Sequence, residues 1–184
     1  MLQKPLNAAL KIQEPTWLKP IFTNIPSELK NLPWAVWKAE PRFNKDKELT
    51  GKWSKAPRNP ITGKMVGSDK PELFGTFEEA KKAYKTGGYT GVGVLLIGNG
   101  IIGIDIDDGK NILKQKSGLK QWLLDASQKN IYCEISPSGT GLRIFLNGHL
   151  SCAGKKRDGL EIYQDERFLT VTGNIALGKG APHD

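Results

Sequence analysis

The 184-residue sequence has few of the residues that usually build zinc sites and disulfide frameworks. Its two cysteines, Cys133 and Cys152, form no C-x-x-C pair, so neither feature is expected. His149 and His183 are too few and too poorly placed for a histidine-based metal site. The glycine-rich motif of dinucleotide-binding proteins is missing as well. The G-x-G at residues 91–93 has no third glycine and leads into a strand, which excludes a dinucleotide-binding fingerprint.

Long apolar runs are also absent. No stretch approaches the roughly 18 apolar residues that a membrane helix needs, and the N-terminus lacks the apolar core of a signal peptide. The sequence contains no internal repeat and no low-complexity tract. We therefore expect an intracellular protein of one domain, without a membrane partner.

The sequence has an excess of positive charge, because 27 Lys and Arg residues against 19 Asp and Glu give a net charge of +8. A basic domain suggests a polyanionic partner such as nucleic acid, although basic charge also serves solubility. Between residues 38 and 58, cations alternate with aromatic residues, a pattern that suits phosphate binding with base stacking. An ordinary solvated loop is the alternative, above all for Lys45 and Lys47.

Helix and strand signals alternate in an order typical of an α+β fold. A strand is predicted near Trp34–Lys38, and Thr76 with Glu79 forms the capping box of a helix that stops at a Gly-Gly pair. A second helix is predicted at residues 118–129. Its apolar face is expected to contain Leu119, Trp122 and Leu123.

Two connections have the composition of hairpin turns. Asn99-Gly100 separates the apolar runs 91–98 and 101–107, and Asp165-Glu166 separates two later strands. Each pair of strands is therefore predicted to lie side by side in one sheet.

Three carboxylates follow closely on one another at the end of the run "IIGIDIDD". Side chains alternate along a strand, so Asp105 and Asp107 share one face, opposite the isoleucines. Two hard oxygen ligands on one face suit Mg²⁺ or Mn²⁺, which would also remove the repulsion between the charges. An acidic turn without a metal is the alternative, and Asp108 fits such a turn.

The segment "EISPSGTGLRIF" contains a small, hydroxyl-rich turn between two strands. Ser136, Ser138, Gly139 and Gly141 would expose backbone N–H groups and hydroxyls to an anion, and Arg143 could pair with phosphate oxygens. A plain Ser-Gly turn with a surface arginine is the alternative. The strand-loop-strand order excludes a P-loop, which needs a helix and a G-K-[ST] ending.

Glu161 interrupts the apolar strand "GLEIYQ". It points away from its neighbours Leu160 and Ile162, which face the core. A solvent-facing acid on a one-sided sheet is the ordinary explanation. Glu161 becomes a candidate site residue only if its face of the sheet is also that of Asp105 and Asp107.

Each of these signals is weak alone, but their order is specific. A strand ending in D-x-D comes first, then S-x-S-G-x-G before a hydrophobic and a basic residue, then hydrophobic-E-hydrophobic-Y before "FLTVTG". This order resembles the three motifs of the archaeo-eukaryotic primase superfamily. More narrowly, it resembles the primase-polymerase (prim-pol) domains of phage and plasmid replication proteins, over roughly residues 32–173.

The resemblance implies an α+β, two-lobed primase fold at residues 29–184, with an RRM-like catalytic lobe, a smaller N-terminal α/β lobe and an extension at residues 1–28. It implies that Asp105, Asp107 and Glu161 are the catalytic residues that bind two Mg²⁺ or Mn²⁺ ions. The incoming dNTP or NTP would be bound by the second motif and two further basic residues. These nucleotide-binding residues are Ser136, Ser138, Gly139, Gly141, Arg143, Lys55 and Arg58.

The implied activity is template-directed nucleotidyl transfer, as a DNA primase or polymerase in phage or plasmid replication. DNA template and primer would be the partners, with a helicase module suggested in the same or a neighbouring chain. The location would be the cytoplasm of a bacterial or phage-infected cell.

One residue departs from the family pattern, because Arg143 stands where histidine is usual and arginine does not change protonation near neutral pH. This departure leaves a second hypothesis open, a nucleic-acid- or nucleotide-binding module of the same fold with weak activity or none. A third hypothesis, which fits the motifs less well, is a metal-dependent nuclease.

Overall fold

A computed structural model describes residues 13–109, 111, 114, 117–128, 131–152 and 154–177. Within these ranges the chain is α+β with antiparallel strand pairing, so the predicted class is confirmed. The helices with described bounds are α1 (Ser27–Lys30), α2 (Phe77–Thr86) and α3 (Ser117–Gln128). The strands are β1 (Trp34–Trp37), β2 (Glu40–Phe43), β3 (Leu49–Ser54), β4 (Pro57–Arg58), β5 (Gly91–Ile97), β6 (Ile101–Ile106), β7 (Tyr132–Ile135), β8 (Leu142–Asn147), β9 (Gly154–Arg157), β10 (Leu160–Tyr163), β11 (Asp165–Val171) and β12 (Ile175–Leu177).

The first sheet has four strands in the order β11-β5-β1-β4, and α2 packs on one of its faces. The predicted capping box is present: Thr76 accepts from the Glu79 N–H at 3.3 Å, and Glu79 accepts from the Thr76 N–H at 2.7 Å. Phe77, the first residue of α2, lies edge-on to Trp34 with ring centroids 5.0 Å apart. The apolar face of α2 therefore covers β1 at the centre of the core.

The second sheet has six strands in the order β12-β7-β8-β6-β10-β9. Its apolar face carries Ile102, Ile104 and Ile106 of β6 and packs against α3 through Leu123, which is buried. Leu119 also packs there, whereas Trp122 is 39% exposed, so its predicted place on the buried face is wrong. Residues four apart lie above one another on a helix, and Trp122 falls to the side of the line through Leu119 and Leu123.

Both predicted hairpins are wrong, because each of the two turns carries the chain from one sheet to the other. β5 pairs with β1 and β11, while β6 pairs with β8 and β10. The two crossings lie side by side, since the Gly98 N–H donates to the Gln164 carbonyl at 2.8 Å. Glu166 is a bulge within β11. The long-range pairing buries β5 on both sides, and this gain overrides the local turn signal.

The segment before α1 lies on the folded body. The Leu18 N–H donates to the Pro137 carbonyl at 2.9 Å, and the Ile21 N–H donates to the Thr172 carbonyl at 2.7 Å. Trp17 packs edge-on against Trp37, with ring centroids 5.5 Å apart. The rest of the predicted extension, residues 1–12, falls outside the described residues.

β2 and β3 form a separate two-stranded ribbon. None of the helices in the described part of the chain is long and apolar enough to span a membrane.

Candidate active site

A row of charged residues crosses the six-stranded sheet. Five neighbouring strands each contribute one member at directly paired positions. In order from β7 to β9 these residues are Glu134, Arg143, Asp105, Glu161 and Lys156. Directly opposed residues of antiparallel strands point to the same side of a sheet, so the five side chains share the face opposite the isoleucines. Glu161 therefore lies on the same face as Asp105, while Asp107 follows the end of β6.

Arg143 is a buried partner of Asp105. Its Nη2 donates to Asp105 Oδ2 at 3.2 Å, and its Nη1 donates to the Thr170 carbonyl of β11 at 2.8 Å. The two side chains are only 7% and 17% exposed. Arg143 Nε and Thr170 Oγ1 are buried and have no partner among the described residues. In this arrangement Arg143 holds Asp105 and ties the two sheets together, and little of its surface is open to a phosphate.

Glu161 is surrounded by donors. Lys156 pairs with Oε1, while Tyr163 Oη donates to Oε2 at 2.8 Å and Arg167 Nη2 donates to the same oxygen at 2.7 Å. Burial alone would raise the pKa of Glu161, but the hydrogen bonds from Lys156 and Tyr163 and the charge of Arg167 lower it below its ordinary value. No motif marked Lys156 or Arg167 as site residues, because only the strand register and the crossing into β11 bring them to Glu161.

Lys55 stands beside the acidic residues. Burial and the nearby charge of Arg143 lower the pKa of Lys55, whereas Asp105 and Asp107 act to raise it. Asp107 follows the end of β6, with an exposed side chain, and its N–H donates to the Gly159 carbonyl at 2.9 Å. The Lys55 ammonium also lies 5.3 Å from the centre of the Trp17 ring. The structure therefore brings the predicted residue Lys55 to the two aspartates.

The Ser136–Gly141 turn is held by its own hydrogen bonds. Ser136 Oγ accepts from the Gly141 N–H at 3.0 Å, and the Ser136 carbonyl accepts from the Gly139 N–H at 2.9 Å. The Ser136 and Ser138 hydroxyls lie 3.2 Å apart. The backbone N–H groups of Ser138 and Thr140 have no partner in the described part of the chain, so they are the ones that remain to bind an anion.

The glycines of this turn also have structural reasons. Gly139 has a φ of +78°, a conformation that favours glycine. A methyl group on Gly141 would lie 2.6 Å from the carbonyl oxygen of Ile106, at the end of β6. The Gly109 N–H donates to the Thr140 carbonyl at 2.8 Å, which fixes the turn next to the segment that carries Asp107.

Arg58 lies apart from these residues. Its Nη2 pairs with Glu40 Oε1 at 2.7 Å, and its Nη1 donates to the Gly63 carbonyl at 3.3 Å. Of the two basic residues predicted near the nucleotide, the structure brings only Lys55 to the carboxylates.

Glu134 is a buried carboxylate that the sequence reading missed. It accepts from Tyr132 Oη at 2.5 Å and from the N–H groups of Thr172 and Gly173 at 2.9 and 2.8 Å. Complete burial raises the pKa of Glu134 to about 7, although these donors and the charge of Arg143 act to lower it. An acid in the middle of the apolar strand "IYCEIS" is the same signal that drew attention to Glu161.

Comparison with known proteins found a sequence similarity over most of the chain. The chain is 31% identical over 155 residues to a DNA primase-polymerase of Nitratiruptor phage NrS-1. The chain is related to this phage primase-polymerase. The match covers 79% of the chain but 20% of the phage protein, so the chain spans about a fifth of that relative's length. No family model matches.

The carboxylates of Asp105, Asp107 and Glu161 differ in how many of their oxygens are free to bind a divalent cation. Asp105 Oδ1 and both carboxylate oxygens of Asp107 accept no hydrogen bond from the described residues, so hard oxygen ligands are available there. Glu161 differs, because cations occupy both of its oxygens. Among the described residues, no three His, Cys, Asp or Glu side chains are grouped so that they could hold a metal ion. The donor set therefore fits a metal at the two aspartates, with Glu161 joining only after Lys156 leaves it.

Proposed function

We propose that the protein is a template-directed nucleotidyltransferase, a DNA primase or polymerase domain of phage or plasmid replication. The observation that carries this proposal is the pairing of Asp105 with Glu161 across β6 and β10, next to the exposed carboxylate of Asp107. The relationship to a phage primase-polymerase over most of the chain supports it. DNA template, primer and nucleoside triphosphates would be its partners and substrates.

In this proposal Asp105, Asp107 and Glu161 hold two Mg²⁺ or Mn²⁺ ions. The ions, when bound, would lower the pKa of the primer 3′-hydroxyl and stabilise the departing pyrophosphate. The chain's own groups bind and orient the substrate. The free N–H groups of Ser138 and Thr140 suit the triphosphate oxygens, and Arg143 keeps the Asp105 carboxylate in place from behind.

The experiment is primer extension on a primed DNA template with Mg²⁺ or Mn²⁺, with dNTPs and NTPs in parallel reactions. Asp105→Asn and Asp107→Asn should abolish extension while the variants remain folded. Asp108→Asn is the matched control, because the Asp108 carboxylate accepts a hydrogen bond from Asn111 Nδ2 and an amide oxygen can accept it as well. Undiminished extension by Asp105→Asn or Asp107→Asn would contradict the proposal.

One observation favours a second function, a binding module without activity. Lys156, Tyr163 and Arg167 already saturate the Glu161 carboxylate, and Arg143 is paired instead of open. A binding module would bind DNA but show neither Mn²⁺ binding nor extension. Incubation of labelled DNA with Mg²⁺ and no dNTPs tests for nuclease activity in the same series.

A further inference from the structure

A cavity of about 350 Å³ lies beside the candidate active site, between the β2–β3 ribbon and the start of β11. This volume is near the lower end for ligand pockets, roughly 300–1,000 Å³, and suits a unit of about one nucleotide. Its polar and aromatic lining comes from Arg42, Trp53, Lys55, Ser68, Arg167 and Phe168. No lining residue belongs to the Ser136–Gly141 turn. The cavity is therefore distinct from the proposed triphosphate site, and Lys55, near Asp105 and Asp107, lines it.

The charges around the cavity favour an anion. Arg42, Lys55 and Arg167 contribute three cations, and the exposed Glu166 contributes one carboxylate. Arg42 is exposed and has no ion-pair partner among the described residues. An unpaired arginine with two further cations is an arrangement that binds phosphate groups.

A second observation points to a ligand in the same place. The indole Nε1 of Trp53 is buried and has no hydrogen-bond partner in the described part of the chain. The ring is held edge-on against Trp17, with centroids 6.3 Å apart. Buried N–H donors are nearly always paired, and because Trp53 lines the cavity, a small movement of its ring would bring this donor to an acceptor there. Phosphate and base oxygens are acceptors of this kind.

The ribbon above the cavity distinguishes a nucleic-acid strand from a lone phosphate. Phe43, on the same ribbon as Arg42 and Trp53, exposes 56% of its surface. Aromatic rings beside cations bind single-stranded nucleic acid, because the rings stack with bases and the cations contact phosphates. A free phosphate has no base that could stack on the exposed Phe43 ring.

We propose that this cavity, with Arg42 and Trp53 as its main contacts, receives the single-stranded DNA template. Arg167 connects it to the candidate active site, because this residue lines the cavity and its Nη2 bonds Glu161 at 2.7 Å. A strand seated there would lie next to the carboxylates. This inference rests on the proposed function, since it names where the template of that reaction binds.

The test measures binding of a fluorescein-labelled oligothymidylate by fluorescence anisotropy at several salt concentrations. Arg42→Ala and Trp53→Phe should each weaken binding about five- to tenfold, and Arg42→Ala should reduce the salt slope by about 0.7 for the phosphate contact it removes. The matched controls are Lys45→Ala and Lys47→Ala, which remove the same charge at the exposed turn of the ribbon. They should weaken binding less than twofold.

Three results would overturn the inference. Equal losses in Arg42→Ala and in the lysine controls would mean a general electrostatic attraction, and unchanged binding in Arg42→Ala and Trp53→Phe would mean that the strand binds elsewhere. Binding of dTTP is measured in parallel, and its selective loss would assign the cavity to the triphosphate, which also overturns the inference. The two proposals can fail separately. If Arg42→Ala and Trp53→Phe selectively lose oligothymidylate binding while the wild-type protein never extends a primer, the strand-binding cavity is supported and the polymerase activity is refuted.

Discussion

Arg143 and Asp105 are direct neighbours across β8 and β6, and the same guanidinium that bonds Asp105 also bonds the Thr170 carbonyl in the other sheet. One buried cation therefore both positions a candidate catalytic carboxylate and joins the two sheets. Arginine can do this because its planar fork presents donors in two directions at once. A histidine at this position has two ring nitrogens and a shorter reach.

Replacing Arg143 tests this double role. Arg143→Met should lower the free energy of unfolding by about 3–5 kcal/mol, because it leaves Asp105 poorly solvated and unpaired. Arg143→Lys should recover part of the loss, since it restores the charge but cannot make both contacts. Urea denaturation measures the difference. Arg157→Met is the control: Arg157 is exposed and pairs with its neighbour Asp158, and such surface pairs contribute about 0–1 kcal/mol. An Arg143→Met variant as stable as this control would contradict the assigned role.

Removing the cation on Glu161 should strengthen metal binding. Lys156 occupies Glu161 Oε1, so it competes with any metal for that oxygen. Lys156→Met is expected to tighten Mn²⁺ binding by about two- to fivefold, the size of effect expected for an exposed ion pair. Calorimetric titration or the electron paramagnetic resonance signal of free Mn²⁺ measures this without any assay of activity.

Lys155→Met is the matched control for Lys156→Met. Lys155 is the previous residue of β9 and pairs in register with Ile162, so it faces the other side of the sheet. The Lys155→Met substitution removes the same charge without changing a contact of Glu161. Equal tightening in both variants would show a general effect of charge. No Mn²⁺ binding in any variant would count against the proposed metal site itself.

Glu134 should make stability depend on pH. Its folded-state pKa, about 7, lies above the ordinary value of 4.5. The folded protein therefore binds more protons than the unfolded chain between these values, and stability should fall as pH rises from about 4.5 to 7. The fall is on the order of 3 kcal/mol. Urea denaturation across pH 4.5–8 measures it.

Tyr132→Phe provides the sharper comparison for Glu134. The Tyr132 hydroxyl donates to Glu134 and lowers its pKa, so the variant should extend the loss of stability to higher pH. Glu134→Gln should be less stable than the wild type, because it puts an amide against the N–H groups of Thr172 and Gly173. Its free energy of unfolding should not fall as pH rises from about 4.5 to 7. An unchanged slope in Glu134→Gln would show that another group titrates.

A methyl group at Gly141 should disturb the turn beside β6. Gly141→Ala must push the Ser136–Gly141 turn away from the Ile106 carbonyl, and such overpacking costs about 1–3 kcal/mol. Thermal denaturation measures the loss. Gly118→Ala is the control, because a methyl group there meets nothing within 4 Å and alanine favours the α3 helix by up to about 1 kcal/mol. A stable Gly141→Ala variant would show that the turn relaxes freely.

The parts of the fold that follow from local chemistry could be predicted. The capping box of Thr76 and Glu79 depends on short-range spacing, and it is present. Strand alternation placed Glu161 opposite its neighbours Leu160 and Ile162, but only the pairing of β10 with β6 puts it on the face of Asp105. The two hairpins failed because the partners of β5 and β11 lie far apart in the chain. Lys156 and Arg167 were missed for a different reason, since they lie only five and six residues from Glu161 in the chain. Their proximity to Glu161 depends on register and on the meeting of two sheets, which residue spacing does not encode.

Strand β11 is bonded to the six-stranded sheet near its C-terminal end. The N–H groups of Thr172 and Gly173, just after β11, donate to Glu134 of β7, and the Thr170 carbonyl within β11 accepts from Arg143 of β8. These bonds restrict movement of the two sheets relative to each other. Rearrangement during a reaction cycle would then fall to side chains such as Lys156 and to the Trp17 segment, which lies over Lys55.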